Sequence, residues 1–201
     1  MTANLPQQSN PWTVIQREVK FDCPYFSVRQ DLVRFQGLDP RPYSSIRVKK
    51  CGVCVAPIDA LGNVTLVGQY RYVLDGFTWE LPGGGADAEG DLLEAARSEL
   101  AEETGLSGGQ WLEMFRIPVA GATFDQVSTG FIAWNLEQGT PRPEPEEQLV
   151  LRRASFHEAV SMALNNEIKL LAASTLLLAI HSRLHRGELP PDLTDLLLQK
   201  K

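Results

Sequence analysis

The sequence predicts a mixed α/β (α+β) fold with an N-terminal β appendage. Strand-like stretches outnumber helical ones, one helix lies in the middle of the strands, and two helices close the pattern. The chain of 201 residues, 43% of them hydrophobic and 22% charged, suits one soluble domain with a small addition. We expect a leader and β arm over residues 1–45, a main domain over 46–186 and a tail over 187–201.

The N-terminal part is expected to be strand-rich. The first ten residues are polar and predict a loose leader. Alternation of apolar and polar residues predicts strands over Trp12–Val19 and Tyr25–Phe35. The segment Gly37–Pro42 reads as a turn, and Ser45–Val48 as a further short strand.

A β-hairpin is expected next. Gly52–Ile58 is rich in valine and predicts a buried strand. Asp59–Asn63 predicts the turn, and Val64–Tyr70 the returning strand. A short strand, Trp79–Leu81, then runs into Pro82 and three glycines.

The first helix has clear start and stop signals. Asp91 is a predicted N-cap, with Glu94 three residues later as its capping-box partner. Leu92, Leu93, Ala96 and Leu100 form one apolar stripe. Gly105 suits the left-handed residue that ends a helix.

The remaining elements are strands followed by two helices. The predicted positions are strands at Trp111–Arg116, Gly130–Leu136 and Leu149–Arg152, a helix from Ser155 to Leu164 and a helix from Ile168 to His185.

Composition excludes several classes of protein. The net charge of −6 argues against sequence-independent nucleic-acid binding, which needs a basic face. The most apolar run, Ile168–Ile180, is too short to span a membrane, and the polar N-terminus does not resemble a secretory signal. Three cysteines do not make a disulfide framework, so we expect a cytoplasmic protein.

Three carboxylates are expected on one face of the first helix. Glu99, Glu102 and Glu103 have the spacing i, i+3, i+4. At about 6 Å and an effective dielectric of about 20, each pair repels by roughly 3 kcal/mol before screening. A divalent cation would remove that cost, and oxygen ligands suit Mg²⁺ or Mn²⁺. The alternative is a solvated acidic helix face.

The triple glycine favours the cation. Gly83–Gly85 follows a strand and precedes the acidic helix, and glycine allows the backbone to approach a ligand closely. A strand, a glycine loop and an acidic helix together suit a metal-bound phosphate. No Gly-Lys-Ser/Thr follows the glycines, which excludes a Walker-type ATPase.

This stretch resembles the Nudix box, G-x5-E-x7-R-E-U-x-E-E-x-G-U, where U is a bulky apolar residue. The matching positions are Gly84, Glu99, Leu100, Glu102, Glu103, Gly105 and Leu106. Gly90 stands at the first glutamate of the box and Ser98 at its arginine. Glu89 and Arg97 are each one residue early, which turns Arg97 about 100° around the helix from the box position.

Flanking segments are similar to the branch of the family that hydrolyses ADP-ribose and nucleoside-diphosphate sugars. They are Gln69–Tyr72, Trp79–Gly84, the N-terminal arm and Phe156–Ala159. The resemblance implies an α/β/α sandwich around a mixed sheet, and a metal-dependent hydrolase that cleaves the pyrophosphate into a nucleoside monophosphate and a sugar phosphate. It also implies a homodimer formed through the β arm. The alternative is a weakened or inactive nucleotide-binding sensor, because two box residues are replaced.

The resemblance and the chemistry of the residues suggest roles for individual positions. The expected metal ligands are Glu99 and Glu103, with Glu102 assisting and the backbone carbonyl of Gly83 as a further ligand. The acidic loop Pro143–Glu147 is expected to supply the general base, with Glu147 favoured over Glu146 and Glu144. The expected substrate-binding residues are Arg71 for phosphate, Gly84 at the close approach, and Trp12, Tyr25 or Phe124 for stacking on a base. The alternatives are a surface salt bridge for Arg71 and core packing for the aromatic side chains.

Two further pairs of side chains have the sequence spacing of possible metal ligands. Cys51 and Cys54 have a CxxC spacing, but on a strand they point to opposite faces and cannot share a metal. His181 and His185 lie one helical turn apart and could bind a metal. We expect them instead to be surface residues that suit the negative end of a helix.

Overall fold

The computed structural model describes residues 9–144 and 148–199, which divide into two units. The N-terminal unit contains the described residues up to Lys49 together with Ala120–Gln126, and the core unit contains Lys50–Val119 and the residues from Val127 onward. Most of the expected loose leader lies outside the described residues, as do the final two lysines.

The N-terminal unit is one antiparallel sheet. Its strands are β1 (Trp12–Gln16), β2 (Val19–Asp22), β3 (Phe26–Phe35) and β4 (Arg41–Val48). Both β1 and β2 pair with one edge of β3, and β4 pairs with the other. Strand β4 begins four residues before the predicted Ser45, because it pairs with β3 from Val33↔Arg41 to Phe26↔Val48.

The core unit is a mixed sheet with helices on both faces. Its strands are β5 (Cys51–Ile58), β6 (Asn63–Arg71), β7 (Gly76–Glu80), β8 (Gly83–Ala86), β9 (Leu106–Ser107), β10 (Gln110–Pro118), β11 (Val127–Trp134), β12 (Glu137–Gln138) and β13 (Val150–Ser155). Its helices are α1 (Leu92–Thr104), α2 (Phe156–Leu164), α3 (Leu171–His185) and α4 (Pro191–Leu198). The main sheet runs β10-β11-β5-β6-β13, with β11 and β5 parallel.

Strand β5 separates two apolar cores. Val53 and Val55 pack with Leu100 of α1 on one face, whereas Cys54 and Ala56 belong to the larger core under α2, α3 and α4. Each fully buried aliphatic side chain contributes about 1.5–3 kcal/mol relative to exposure. Burial on both faces explains the continuous apolar run of β5 and confirms the predicted α/β/α layering.

The predicted hairpin of β5 and β6 is splayed. The two strands pair only at Ile58↔Val64. Beyond that point β8 pairs with β5 and β7 pairs with β6. The fork brings the residues that follow β7 into the middle of the sheet. The turn itself is as predicted, with the Asp59 carboxylate accepting bonds from the backbone N–H groups of Leu61 and Asn63, each at 2.9 Å.

The caps of α1 match the sequence signals. The Asp91 carboxylate accepts hydrogen bonds from the N–H groups of Leu93 at 2.9 Å and Glu94 at 3.2 Å. Gly105 ends the helix with φ +73°, which suits glycine. The side chain of Glu94 bonds to Arg97 and not in the reciprocal arrangement expected of a capping box.

The expected tail over 187–201 contains helix α4. Leu193 and Leu197 of this helix are 0% and 2% exposed and lie in the larger core. Trp134 donates from Nε1 to the Asp192 carboxylate at 2.7 Å. The double proline that suggested a tail instead begins the helix, a position where proline costs no hydrogen bond.

Within the described residues, no helix is long and apolar enough to cross a membrane.

Replacing Leu193 by alanine should destabilise the core unit by about 2–5 kcal/mol, because it removes a fully buried side chain and leaves a cavity. The control is Leu198→Ala in the same helix, where the side chain is 54% exposed and the loss should be below about 0.5 kcal/mol. Urea unfolding followed by circular dichroism measures both. Equal midpoints for the two variants would contradict a structural role for α4.

Candidate active site

The three glycines lie in a strand. Gly83–Gly85 belong to β8, which pairs with β5 through Cys54↔Gly83, Val53↔Gly84 and Gly52↔Gly85. The prediction of a glycine loop was therefore wrong in detail, and the loop before α1 begins only after Ala86. Glycine is required at position 83, since a Cβ there would lie 2.2 Å from the carbonyl oxygen of Val53.

Glu103 of α1 is buried against β8. Only 3% of the surface of Glu103 is exposed. Its Oε2 accepts a hydrogen bond from the N–H of Gly83 at 3.0 Å. A bond to an ionised acceptor is stronger than one between neutral groups. This contact ties the last turn of α1 to the start of β8.

Glu99 lies one turn earlier, against the next glycine. A Cβ at Gly84 would lie 2.2 Å from Oε1 of Glu99 and 2.7 Å from Oε2. The missing side chain at position 84 therefore provides the space that the Glu99 carboxylate occupies. Glu99 and Glu103 are separated by about 40° around the helix, so both face the Gly83–Gly84 backbone.

Glu102 does not join this pair. It is exposed, and its carboxylate accepts a hydrogen bond from the Ser98 hydroxyl at 2.6 Å. Across residues 9–144 and 148–199, no three or more His, Cys, Asp or Glu side chains lie close enough to hold a metal ion. The predicted three-carboxylate group is thus a pair plus an outward Glu102, because position 102 is turned about 100° from position 103.

The carboxylate pair suits a hard divalent cation. Its donors are oxygens, and the backbone of Gly83–Gly84 is directly accessible to it. The pair lies in the C-terminal half of α1, whose last turn carries no basic residue. The negative end of the helix dipole adds to the charge of the carboxylates and favours a cation there.

The acidic loop begins beside the same helix end. The N–H of Arg142 donates to the carbonyl oxygen of Glu102 at 2.7 Å, and the N–H of Gly139 donates to that of Gly105 at 2.7 Å. These bonds satisfy carbonyls that a helix end leaves open. Glu144 is exposed, whereas Glu146 and Glu147 lie outside the described residues.

The two altered box positions have their own local roles. The Ser98 hydroxyl donates its hydrogen bond to the Glu102 carboxylate. Gly90 lies in the turn before α1, where its N–H donates to the carbonyl of Asp87 at 3.1 Å. Arg97 pairs with Glu94 and covers the ring of Trp111 at 5.7 Å. Its partner is thus another residue of the same helix, and the arginine is committed to the outer surface of α1.

Arg71 is held by a carboxylate that sequence reasoning missed. Its Nε donates to Oε1 of Glu80 at 2.8 Å and its Nη2 to Oε2 at 2.5 Å. Glu80 is 2% exposed, and the bidentate bond offsets the cost of burying it. The signal was present in the sequence, since an acidic residue between the apolar Trp79 and Leu81 of a short strand needs a partner on its own face of the sheet.

Three further residues considered from the sequence are Trp12, Phe124 and Cys54. Trp12 and Phe124 are in the N-terminal unit, where Trp12 packs edge-on against Phe35 at 4.9 Å. Phe124 is 38% exposed. In the core unit, burial raises the pKa of the Cys54 thiol to about 12, so it stays protonated near neutral pH and is unsuited to metal binding.

Comparisons with known proteins found similar sequences and a similar fold. The NUDIX domain family matches residues 49–173. The chain is 31% identical over 166 residues to a protein named ADP-ribose pyrophosphatase from Mycobacterium tuberculosis (strain ATCC 25618 / H37Rv), covering 78% of this chain and 77% of that one.

A solved structure described as an ADP compounds hydrolase has the same fold. It superposes with a TM-score of 0.80 at 17% sequence identity, covering 91% of this chain and 100% of that one. The family match spans the fork, the glycine strand and all three box glutamates. On these grounds the chain belongs to the Nudix family.

Proposed function

We propose that this protein hydrolyses the pyrophosphate of a nucleoside diphosphate linked to a sugar, such as ADP-ribose, to a nucleoside monophosphate and a sugar phosphate. The observation that carries the proposal is the pair Glu99 and Glu103 held against the backbone of Gly83–Gly84. The activity named for the mycobacterial relative, which is similar over most of both chains, supports the choice of substrate class.

Glu99 and Glu103 would hold the Mg²⁺ or Mn²⁺, with the carbonyl of Gly83 as a further ligand and Glu102 assisting through water. A bound divalent cation neutralises the charge of the diphosphate and polarises phosphorus toward attack. The N–H of Gly83 fixes one oxygen of Glu103, so this carboxylate is already oriented before substrate binds. The side chain missing at Gly84 leaves Glu99 close to the phosphate-facing backbone.

The general base is assigned to the acidic loop. Its candidates are Glu147, then Glu146, then Glu144, each of which would take a proton from the attacking water. The bond from Arg142 to the carbonyl of Glu102 supports this role, because it anchors the start of the loop at the helix that carries the metal ligands.

Substrate contacts are assigned to Arg71, Gly84, Trp12 and Phe124. Although Arg71 binds Glu80, its side chain remains 40% exposed, so the guanidinium can offer donors to a phosphate at the surface. Trp12 and Phe124 are candidates for stacking on a base.

The N-terminal unit is proposed to join two chains in a homodimer. Of its described residues, Val33 is the only buried hydrophobic one, and a thin sheet with so little burial is not stable alone. Apolar side chains are exposed on β1 and β2, among them Val14, Ile15, Val19 and Phe21. We further propose a cytoplasmic setting, since Cys23, Cys51 and Cys54 are all free thiols.

Incubation of purified protein with Mg²⁺ or Mn²⁺ and a panel of nucleoside-diphosphate sugars should release nucleoside monophosphate, measured by chromatography, and chelation with EDTA should stop it. Glu103→Gln should lower kcat/KM about 100-fold, or about 2.7 kcal/mol, because the amide keeps the bond to Gly83 but loses the charge. Glu94→Gln on the same helix is the control and should change it less than about twofold. Binding of a nucleoside-diphosphate sugar without turnover would instead establish the sensor alternative.

Gly84→Ala should abolish most of the activity while leaving the circular dichroism spectrum unchanged, because the new Cβ would occupy the place of the Glu99 carboxylate, 2.2 Å from Oε1. Gly85→Ala is the matched control, since its Cβ would meet only the flexible Lys50 side chain, at 3.0 Å. The concentration of Mg²⁺ that gives half-maximal rate should rise in the first variant only. Similar rates for both variants would place the metal elsewhere.

Glutamine substitutions at Glu144, Glu146 and Glu147 identify the base. Loss of the base should lower kcat by about 10²–10⁴-fold without changing metal affinity, and the other two substitutions should have effects below about threefold. The rates are compared at saturating substrate and Mg²⁺. Full activity in all three variants would exclude the loop.

The solution mass by light scattering should be twice the 22.3 kDa of one chain. Phe21→Lys should shift the mass toward one chain, because it puts charge on the exposed face of β2. Leu164→Lys, at an exposed position of α2, is the control and should leave the mass unchanged. A wild-type mass of one chain would contradict the dimer.

A further inference from the structure

Helix α3 carries a second group of possible metal ligands, which are histidine nitrogens and not carboxylate oxygens. His181 and His185 lie one turn apart, with their Nε2 atoms 3.0 Å from each other. The ring centroids are 4.4 Å apart and the ring planes are inclined by 70°. Both Nε2 atoms therefore point at the same space beside the helix.

The distance between the two Nε2 atoms matches that of two imidazole nitrogens bound to one metal ion. With metal–nitrogen distances of about 2.0–2.1 Å, two imidazoles on one metal have their nitrogens about 2.9 Å apart at a right angle and about 3.3 Å apart at a tetrahedral angle. The observed 3.0 Å falls between these values. The spacing of the two nitrogens therefore suits one shared ion.

The pair is open to a cation from solvent, because His185 is exposed and His181 is only half-buried. The third histidine of the chain, His157, lies in the first turn of α2. The nearby cations are committed elsewhere, because Arg183 donates to the carbonyl of Met114 at 2.9 Å and Arg186 pairs with Glu188.

The plainer role is a surface pair that suits the negative end of α3, as the sequence suggested. Two fully protonated rings would point donors at each other, which does not fit the 3.0 Å approach of the two Nε2 atoms. Histidines that approach through Nε2 must instead share one proton between two nitrogens, and a cation can take the place of that proton.

We propose that His181 and His185 form a surface site for a divalent transition metal, with Ni²⁺, Cu²⁺ and Zn²⁺ as its class of ligand. Imidazole nitrogens prefer these ions, whereas the oxygens of Glu99 and Glu103 prefer Mg²⁺ or Mn²⁺. In the described part of the chain no third His, Cys, Asp or Glu completes the group. Water molecules therefore fill the remaining positions around the ion.

The test is isothermal titration calorimetry, which measures the affinity and stoichiometry of Ni²⁺ binding to untagged protein. An excess of Mg²⁺ is present to keep the carboxylate pair occupied. One Ni²⁺ should bind per chain, and His181→Ala and His185→Ala should each weaken binding by at least about tenfold. His157→Ala should bind as the wild type does, as should Cys23→Ser. Because Ni²⁺ is paramagnetic, amide signals of α3 should broaden before those of α1 in a nitrogen–proton spectrum.

No binding by the wild type, or binding by both histidine variants that is as tight as that of the wild type, would overturn the proposal. Broadening confined to α1 would show that Ni²⁺ enters the carboxylate site instead. No readout uses substrate, so failure here would leave the proposed hydrolysis untouched, and failure of hydrolysis would leave this site untouched.

Discussion

The hydrogen bond between the buried carboxylate of Glu103 and the N–H of Gly83 joins the two halves of the candidate active site. Its donor lies in a strand paired with the centre of the sheet, and its acceptor lies in the last turn of α1. A bond to a charged group that is shielded from water contributes about 1.5–3 kcal/mol. Without it, the buried carboxylate would lose this donor, and α1 would be held at this end of the sheet by the apolar packing of residues such as Leu100.

Other features of the site follow from this contact. Helix α1 can place Glu99 against β8 only because position 84 carries no side chain. The splayed pairing of β5 and β6 in turn makes room for β8 in the sheet. Negative charge thus collects toward a helix end that already has a partial negative charge.

Sequence patterns predicted the elements whose signals are local. The caps of α1 at Asp91 and Gly105 and the apolar run of β5 were predicted correctly, because a single turn of helix or one continuous apolar run suffices to specify them. The strand character of Gly83–Gly85 was missed, since glycine has low strand propensity and only the partner β5 determines its conformation. A salt bridge was an alternative for Arg71, but its partner Glu80 was missed, because the pairing depends on the register of β6 and β7.

The sequence predicted which residues lie at the candidate site more accurately than it predicted where their side chains point. The spacing of Glu99 and Glu103 placed both on one face, but the same spacing could not show that Ser98 would hold Glu102 outward. Nor could it show that Arg97 would turn to Glu94 and Trp111. Such choices among surface rotamers depend on small differences in energy between neighbours.

Helix α4 has a consequence for how the molecule is made. Leu193 and Leu197 seal the larger core, and position 62 has no room for a side chain because the carbonyl of Leu196 would lie 2.3 Å from a Cβ there. Helix α4 follows every other element of the core unit along the chain, so it leaves the ribosome after them. The larger core therefore cannot close before α4 has been made, and the apolar surface of α2 and α3 is open to water until then.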